Sequence, residues 1–184
     1  MAGFQVSPNH PSLIAMDGVL MDKSGALICY PAGLKVKSYA VPHGIQSIAD
    51  GAFRGCSNLT SITLPDSVTS IGDEAFCNCQ FLTSIMLPDG VTHIGDGAFR
   101  GCQSMTSITI PDGVTCIGMR AFSNCLSLTN IIMPDSVTGI GDRTFEGCSA
   151  ELTMTVIPGS YAEKWCKDNK MTMVYPDANY WLLN

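Results

Sequence analysis

A repeat of 23 residues constrains the fold of this chain more than any other feature of its sequence. Phenylalanine returns at this interval, and isoleucine, cysteine and proline keep the same 23-residue interval in columns of their own. The phenylalanines are Phe53, Phe76, Phe99, Phe122 and Phe145. A fixed period of this length is typical of a solenoid, in which one repeat is one coil and buries its apolar side chains only against neighbouring coils. The five copies in residues 45–159 therefore predict five stacked coils.

A short segment in each copy has the composition of a β-strand. Residues 59–64 have the sequence LTSITL, which is β-branched and alternating, and Pro65 follows where a missing N–H is tolerated. The Asp-Ser or Asp-Gly pair after each proline is typical of a turn. Stacked coils are expected to pair these segments as a parallel sheet, with neighbouring strands about 4.8 Å apart. A second short strand, residues 68–71, is expected on the opposite wall.

The corner and the core of each coil are predicted from two further patterns. Gly72 allows a tight corner, and Asp73 is expected to cap a short helical turn by accepting hydrogen bonds from backbone N–H groups. The phenylalanine column that follows is predicted to point inward, together with a column of cysteines. These cysteines are Cys56, Cys79, Cys102, Cys125 and Cys148. A small buried side chain with a weak S–H donor explains them as structural core residues with free thiols.

The segments that flank the repeats have the composition of end caps, which solenoids need because an open final coil exposes its core. Residues 17–33 contain two strand-like stretches around the turn sequence DKSG, which predicts a β-hairpin. Residues 158–170 predict a helix, because Ser160 and Glu163 have capping-box spacing. One face of this helix is expected to cover the last coil, and its residues are Ala162, Trp165, Cys166 and Asn169. A strand and an apolar tail, residues 180–183, are expected to follow, with the tail packed back on the cap.

The pattern I-G-D-x-A-F-x-x-C-x-x-L-x-x-I-x-L-P resembles the BspA-type leucine-rich repeat over about 115 residues. The resemblance implies a mostly β fold with short helical turns, namely a right-handed parallel β-solenoid of five coils with an N-terminal hairpin cap and a C-terminal helix cap. On this interpretation residues 1–44 form the hairpin cap and first strand, residues 45–159 the five repeats, and residues 160–184 the capping helix, strand and tail. The resemblance also implies a binding protein, since many members are cell-surface or secreted proteins of bacteria and protozoa that contact host proteins or neighbouring cells.

Composition limits the possible partners and locations. The 46% hydrophobic and 14% charged residues are typical of a globular protein. The net charge of −6 argues against a nucleic-acid partner, which requires clustered Lys and Arg. No apolar run is long enough to insert into a membrane, and the N-terminus has no signal-peptide pattern. The location is left open, because the family is often found at cell surfaces whereas an odd number of cysteines suits a reducing compartment.

Cysteine, aspartate and histidine are the residue types in this chain that could form a metal site or a catalytic site. Cys77 and Cys79 form a lone C-x-C, whereas structural zinc needs four ligands. Cys77 replaces an arginine of other copies, so it is expected to be exposed and oxidisable. Two aspartate columns invite a calcium interpretation, but calcium takes six to eight oxygens around one point, and turn or cap chemistry explains both columns. The histidines His10, His43 and His93 are scattered. We therefore predict no metal, no cofactor, no catalytic residues and no enzymatic activity.

The side chains between the inward positions of the strands are predicted to form a binding surface, which we call the strand face. Its residues are Ser61, Thr63, Ser84, Met86, Ser107, Thr109, Asn130 and Ile132. Phe81 is expected on its rim, and Met86 and Ile132 are the expected apolar anchors. The face is uncharged and rich in hydroxyl groups, and a rigid scaffold suits protein recognition because little entropy is lost in ordering it.

Three functions remain compatible with these residues. The leading hypothesis is a non-catalytic module for adhesion or recognition that binds a protein of unknown identity through the strand face. The alternative is a structural spacer or capping segment of a larger, multi-domain surface protein, because the N-terminal sequence begins as if midway through a coil. The third is an ice- or carbohydrate-binding surface made of Ser and Thr ladders, although Met86 and Ile132 interrupt these ladders. The oligomeric state is left open.

Overall fold

The computed structural model describes residues 3–177, in which short strands wind into a β-solenoid of about six turns that ends in one helix. The strands in chain order are β1 (Leu13–Met16), β2 (Val19–Asp22), β3 (Ala26–Cys29), β4 (Ser38–Ala40), β5 (Ser47–Ile48), β6 (Ser61–Thr63), β7 (Ser70–Ile71), β8 (Ser84–Met86), β9 (His93–Ile94), β10 (Ser107–Thr109), β11 (Cys116–Ile117), β12 (Asn130–Met133), β13 (Gly139–Ile140), β14 (Thr153–Val156) and β15 (Thr172–Val174), and the helix is α1 (Tyr161–Asp168). The predicted mostly β solenoid is confirmed.

One wall of the solenoid is an eight-stranded sheet with the order β1-β2-β3-β5-β7-β9-β11-β13. From β3 onward the strands are parallel, and from β5 onward they pair in a register of one repeat, so that Ser47 lies beside Ser70 and Ile48 beside Ile71. The short second strand expected in each copy is therefore present. Because each coil places the same residue type against its neighbour, Ile48, Ile71, Ile94 and Ile117 form one continuous buried row, and Ile140 in the last coil is half-buried.

The other wall carries the strand face and consists of two sheets. The strands β4, β6 and β8 form one sheet, and β10, β12, β14 and β15 form the other. All strand pairs within these two sheets are parallel. Where the sheets meet, the N–H of Thr106 still donates to the carbonyl of Thr83 at 3.3 Å. The coils therefore stack without interruption although the strand pairing divides between β8 and β10.

A column of aromatic rings runs through the interior. Successive phenylalanine rings stack with centroids 5.2 to 5.6 Å apart and nearly parallel planes. The cysteine column lies beside it, and each thiol donates to the carbonyl of the aromatic residue in the preceding coil, as Cys79 does to Phe53 at 3.1 Å. Cys148 is only half-buried, because it lies in the last coil and no further coil covers it.

A further turn precedes the five copies that the sequence period predicts. Tyr30 takes the position of the phenylalanine in this first turn, and its ring stacks on Phe53 with a centroid distance of 5.3 Å. The strand before it is in place as well, since Leu27 pairs with Ile48. The strand is out of period here because Tyr30 follows Leu27 by three positions, whereas Phe53 follows Ile48 by five. The solenoid therefore has about six turns and not five.

The aspartates at the corners join neighbouring coils, which corrects the expected cap within a single coil. Oδ1 of Asp50 accepts a hydrogen bond from the N–H of Asp73 at 2.8 Å, and Oδ1 of Asp73 accepts one from the N–H of Asp96 at 2.8 Å. Gly72 is required for the same reason, because a Cβ at this position would overlap Asp50 of the preceding coil. The Gly-Asp pair is thus a contact between coils.

The N-terminal cap is a three-stranded antiparallel unit joined to the solenoid. β2 and β3 form the expected hairpin, and β1 adds a further antiparallel strand to β2. The β1–β2 turn is Asp17-Gly18, with φ of 50° and 79°. Positive φ at both central residues is the geometry that favours Asp-Gly in a two-residue hairpin turn, so this turn pair was a sequence signal for β1.

The C-terminal cap begins with the capping box predicted from its spacing. Oγ of Ser160 accepts a hydrogen bond from the N–H of Glu163 at 3.2 Å. The Glu163 carboxylate in turn accepts one from the N–H of Gly159 at 2.7 Å. The first bond satisfies an N–H group that a helix leaves without a partner at its start, and the second ties Glu163 to the residue before the N-cap, so α1 begins at a defined residue.

One face of α1 closes the last coil. Ala162 and Cys166 are buried, and the ring of Trp165 packs edge-on against Phe145 with centroids 5.7 Å apart. Asn169 is exposed, contrary to its expected place on this face, because the helix has ended and its side chain donates to the carbonyl of Trp165. The expected following strand is β15, which pairs with β14. The expected docking of residues 180–183 lies outside the described residues.

Candidate functional site

The strand face is built by the alternation of side chains along four parallel strands. The central isoleucine of each strand points into the core, as Ile85 and Ile108 do, and the residues on either side of it point outward. Seven of the eight predicted residues are exposed, and Ile132 is half-buried. Ile132 lies between Thr109 and Thr155 on the neighbouring strands, so it is a less prominent anchor than expected.

A depression of about 690 Å³ lies on the strand face across β6, β8 and β10. Six of the predicted residues line it, namely Ser61, Thr63, Ser84, Met86, Ser107 and Thr109. Asn130, Ile132 and Phe81 are not among its lining residues. The structure therefore brings together the residues of three successive coils and leaves the fourth strand beside them.

Met86 is the main apolar group on this surface. Its side chain is 85% exposed, and the residues at the same position in the coils before and after it are the polar Thr63 and Thr109. Phe81, in the loop before β8, is 57% exposed. Single exposed apolar residues are common, but one inside a depression offers a partner apolar surface to bury.

A row of four carboxylates follows the C-terminal ends of these strands, and sequence reasoning treated it only as turn or calcium chemistry. We call it the aspartate row, and its residues are Asp66, Asp89, Asp112 and Asp135. All four are exposed, and Asp66 and Asp89 also line the depression. The signal available in the sequence was their 23-residue spacing directly after each strand proline.

Potential metal ligands do not converge in the described part of the chain. Within residues 3–177 no group of three or more His, Cys, Asp or Glu side chains is arranged to hold a metal ion. His10 accepts a hydrogen bond from the N–H of Leu13 at 2.9 Å in the N-terminal segment. His43 is exposed in a turn and His93 is exposed on the wall opposite the strand face, so the three histidines lie in different parts of the fold.

Cys77 is buried, which corrects its expected exposure. No part of its surface reaches solvent (0%). In the same coil Glu74 forms ion pairs with Arg54 of the preceding coil at 2.8 Å and with Arg100 of the following coil at 2.9 Å. The thiol contacts Arg100, which the ion pair with Glu74 holds in place. Cys77 stands where the coils before and after it carry Arg54 and Arg100, and its thiol is buried and not open to oxidation.

Two further buried thiols are also poorly suited to nucleophilic chemistry. Burial raises the pKa of Cys79 to about 12 and that of Cys166 to about 11. The thiolate is the reactive form, so these side chains stay protonated and inert near neutral pH. All nine cysteines lie in the described part of the chain as free thiols, and among them only Cys116 is exposed.

In the part of the chain that the structure describes, no helix combines the length and the apolar character that a membrane span requires.

Comparison with known proteins links this geometry to a family of repeats. The model of the BspA-type leucine-rich repeat region matches residues 29–152 in six copies. No curated protein sequence matches the chain.

Three solved structures illustrate the likeness. A leucine-rich cell-surface protein from Faecalibacterium prausnitzii A2-165 is 37% identical, with a TM-score of 0.77 over 88% of this chain and 42% of that one. A leucine-rich repeat protein from Treponema pallidum is 32% identical, with a TM-score of 0.67 over 82% of this chain and 71% of that one. A leucine-rich repeat protein from Bacteroides ovatus ATCC 8483 is 33% identical, with a TM-score of 0.65 over 84% and 42%. The chain thus spans less than half the length of the F. prausnitzii protein.

Proposed function

The chain belongs to the BspA-type leucine-rich repeat family, and from this premise we propose that it is a non-catalytic module that binds another protein through the strand face. The observation that carries the proposal is the depression around Met86, which six predicted strand-face residues line. It combines an exposed apolar side chain with hydroxyl groups that both donate and accept hydrogen bonds. This combination suits a polypeptide, which presents apolar side chains and backbone amides together.

The rigidity of the scaffold supports binding by this surface. Each coil is held to the next by stacked rings and by thiol–carbonyl contacts, and the corner aspartates add hydrogen bonds between the coils from Asp50 to Met119. Side chains on strands fixed in this way lose little conformational freedom when a partner binds. A large part of the interaction energy is therefore retained as affinity.

The side-chain chemistry supports a non-catalytic role. A nucleophilic site requires a nucleophile within hydrogen-bond reach of a base. The strand face carries hydroxyl groups but no histidine, and the five column cysteines donate to backbone carbonyls of neighbouring coils. The residues that face solvent here are suited to contacts and not to proton transfer.

We place this function at a cell surface, because the similar F. prausnitzii protein is a leucine-rich cell-surface protein. The free thiols agree with such a location. Eight of the nine cysteines are buried or half-buried, so oxidants in an extracellular medium have little access to them.

The proposal is tested by comparing proteins captured from extracts of the native organism and of host cells. The strand-face variant carries Ser84→Glu, Met86→Lys and Thr109→Glu, with alternating charges that avoid repulsion between strands. A matched control carries Thr69→Glu, Thr92→Lys and Thr115→Glu on the opposite wall, where all three threonines are exposed. Circular dichroism verifies that both variants fold.

We expect a protein that the wild type and the control capture and that the strand-face variant loses by at least tenfold, as quantified by mass spectrometry. Equal capture by the wild type and a folded strand-face variant would contradict binding by this face. That outcome would favour the alternative, a structural spacer or capping segment of a larger surface protein.

A further inference from the structure

The aspartate row borders the depression along the edge where the strands end. Asp66 and Asp89 belong to both features, and Asp112 and Asp135 continue the row over the next two coils. Adjacent coils are about 4.8 Å apart, so the four carboxylates extend over about 14 Å. A neutral, partly apolar surface and a line of negative charge therefore lie side by side across the same coils.

No basic side chain in the described part of the chain forms an ion pair with the aspartate row. In residues 3–177 the ion pairs are Arg54–Glu74, Arg100–Glu74 and Lys167–Glu163, and none involves the row. Like charges at the spacing of adjacent coils repel one another. Ligand cations at this edge would relieve that repulsion, so the row favours a positively charged partner.

We propose that the partner of the strand face is a basic polypeptide segment in an extended conformation, lying across the coils along the boundary between the aspartate row and the depression. This proposal rests on the proposed function of the strand face and adds the chemistry of the partner. Alternate side chains of an extended segment point to opposite sides. Lysine or arginine at every second position then reaches the aspartate row, and the apolar side chains between them reach Met86.

The dimensions of the two surfaces match this arrangement. An extended chain rises about 3.3 Å per residue, so five residues span about 13 Å from the first side chain to the last. Three basic side chains on one edge of such a segment cover the length of the aspartate row. The apolar side chains on its other edge lie over β8 and β10, where the depression is.

The experiment uses three fluorescein-labelled peptides of nine residues, kept dilute enough to remain monomeric. One alternates lysine with leucine, the second alternates glutamate with leucine, and the third alternates lysine with serine. Their dissociation constants for the whole chain are measured by fluorescence anisotropy at low and high salt.

Two folded variants with equal loss of charge separate the aspartate row from the overall negative charge. One carries Asp66→Asn, Asp89→Asn and Asp112→Asn. The control carries Asp142→Asn, Glu146→Gln and Asp168→Asn, which are exposed carboxylates away from the strand face. We expect the lysine–leucine peptide to bind the row variant at least tenfold more weakly than the wild type, which corresponds to about 1.4 kcal/mol, and to bind the control within twofold of the wild type.

The other peptides test the two parts of the proposal separately. Binding of the glutamate–leucine peptide as tightly as the lysine–leucine peptide would refute the basic partner. Equal binding of the lysine–serine and lysine–leucine peptides would refute the apolar contact with Met86. If the row variant and the control bind the lysine–leucine peptide equally weakly, the effect comes from net charge and the proposal is overturned. The absence of binding by any of the peptides would also overturn it.

Failure of this inference is distinguishable from failure of the proposed function. If a natural partner is lost by the strand-face variant but retained by the Asp66, Asp89 and Asp112 variant, the strand face binds and the basic segment is wrong. If the natural partner is retained by the strand-face variant, the proposed function itself fails.

Discussion

At the scale of single residues, the buried phenylalanine rings are the side chains whose loss is expected to affect stability most. Phe99 has no exposed surface and lies between Phe76 and Phe122, with centroids 5.2 and 5.4 Å away. Offset stacking of aromatic rings adds to the free energy of their burial. One ring therefore stabilises two interfaces between coils, so its loss affects neighbours on both sides.

We predict that Phe99→Ala lowers the free energy of unfolding by about 3 to 5 kcal/mol, because it removes a fully buried ring and leaves a cavity. Phe81→Ala is the matched control, since Phe81 is 57% exposed, and it is expected to change stability by less than about 0.5 kcal/mol. Urea unfolding followed by circular dichroism measures both values. Similar losses for the two variants would contradict the ring stack as the core.

The cysteines show at the same scale how one residue type serves a packed interior. The Cys102 thiol is buried and donates to the carbonyl of Phe76 in the preceding coil at 3.2 Å. Burial also raises its pKa well above the ordinary value. A residue that is small, apolar and a weak donor fits this position because it fills space and contacts a carbonyl without requiring a second partner.

At the scale of elements, the start of α1 depends on one carboxylate. Glu163 accepts hydrogen bonds from the Lys167 ammonium at 2.6 Å, the Tyr175 hydroxyl at 2.5 Å and the N–H of Gly159 at 2.7 Å. These partners, led by Lys167, lower the pKa of Glu163 from 4.5 to about 2. The contacts join the helix to the turn that follows β14 on one side and to the segment after β15 on the other.

The lowered pKa of Glu163 predicts a pH-dependent contribution to stability. A carboxyl whose pKa is lower in the folded state stabilises the fold above its unfolded pKa of 4.5 and loses this effect as pH falls towards about 2. We expect Glu163→Gln to melt at a lower temperature than the wild type near neutral pH, with the difference shrinking between pH 4.5 and 2. Melting curves over this range, with Glu146→Gln as an exposed control, measure the effect. A difference that is constant with pH would exclude a role for the charge.

At the scale of the whole molecule, the solenoid is one-dimensional, since each coil contacts mainly the coils before and after it. The three-stranded N-terminal unit continues one wall, and α1 covers the other end of the core. Stability of such an array is close to a sum of coil and interface contributions. The ends are therefore the places where unfolding begins, and the caps determine how readily it begins there.

We predict that Trp165→Ala opens the last coil while the middle of the solenoid stays closed, because Trp165 packs against Phe145, the terminal ring of the stack. Hydrogen exchange should accelerate at least tenfold in residues 139–156. It should change by less than twofold in residues 68–110. Uniform acceleration along the chain would show that the solenoid unfolds as a single cooperative unit.

The sequence alone determined the architecture, because a 23-residue period specifies both the coil and its register. Once Ile48 and Ile71 are one repeat apart, stacking pairs them, and the alternation around Ile85 decides which side chains face out. The start of the C-terminal cap could also be predicted from the sequence, because Ser160 and Glu163 interact within one helical turn. The binding role of the outward residues stays a prediction.

Only the tertiary structure decided which groups meet across coils. Asp73 was predicted to cap its own turn but accepts a hydrogen bond from Asp96 in the next coil. Cys77 was predicted to be exposed but is buried beside an ion-pair bridge between coils. The depression beside the aspartate row likewise appears only when three coils are stacked. Periodicity reports what is repeated within a chain, whereas these contacts join residues 20 to 26 positions apart. Their partners are defined only by the distance between stacked backbones.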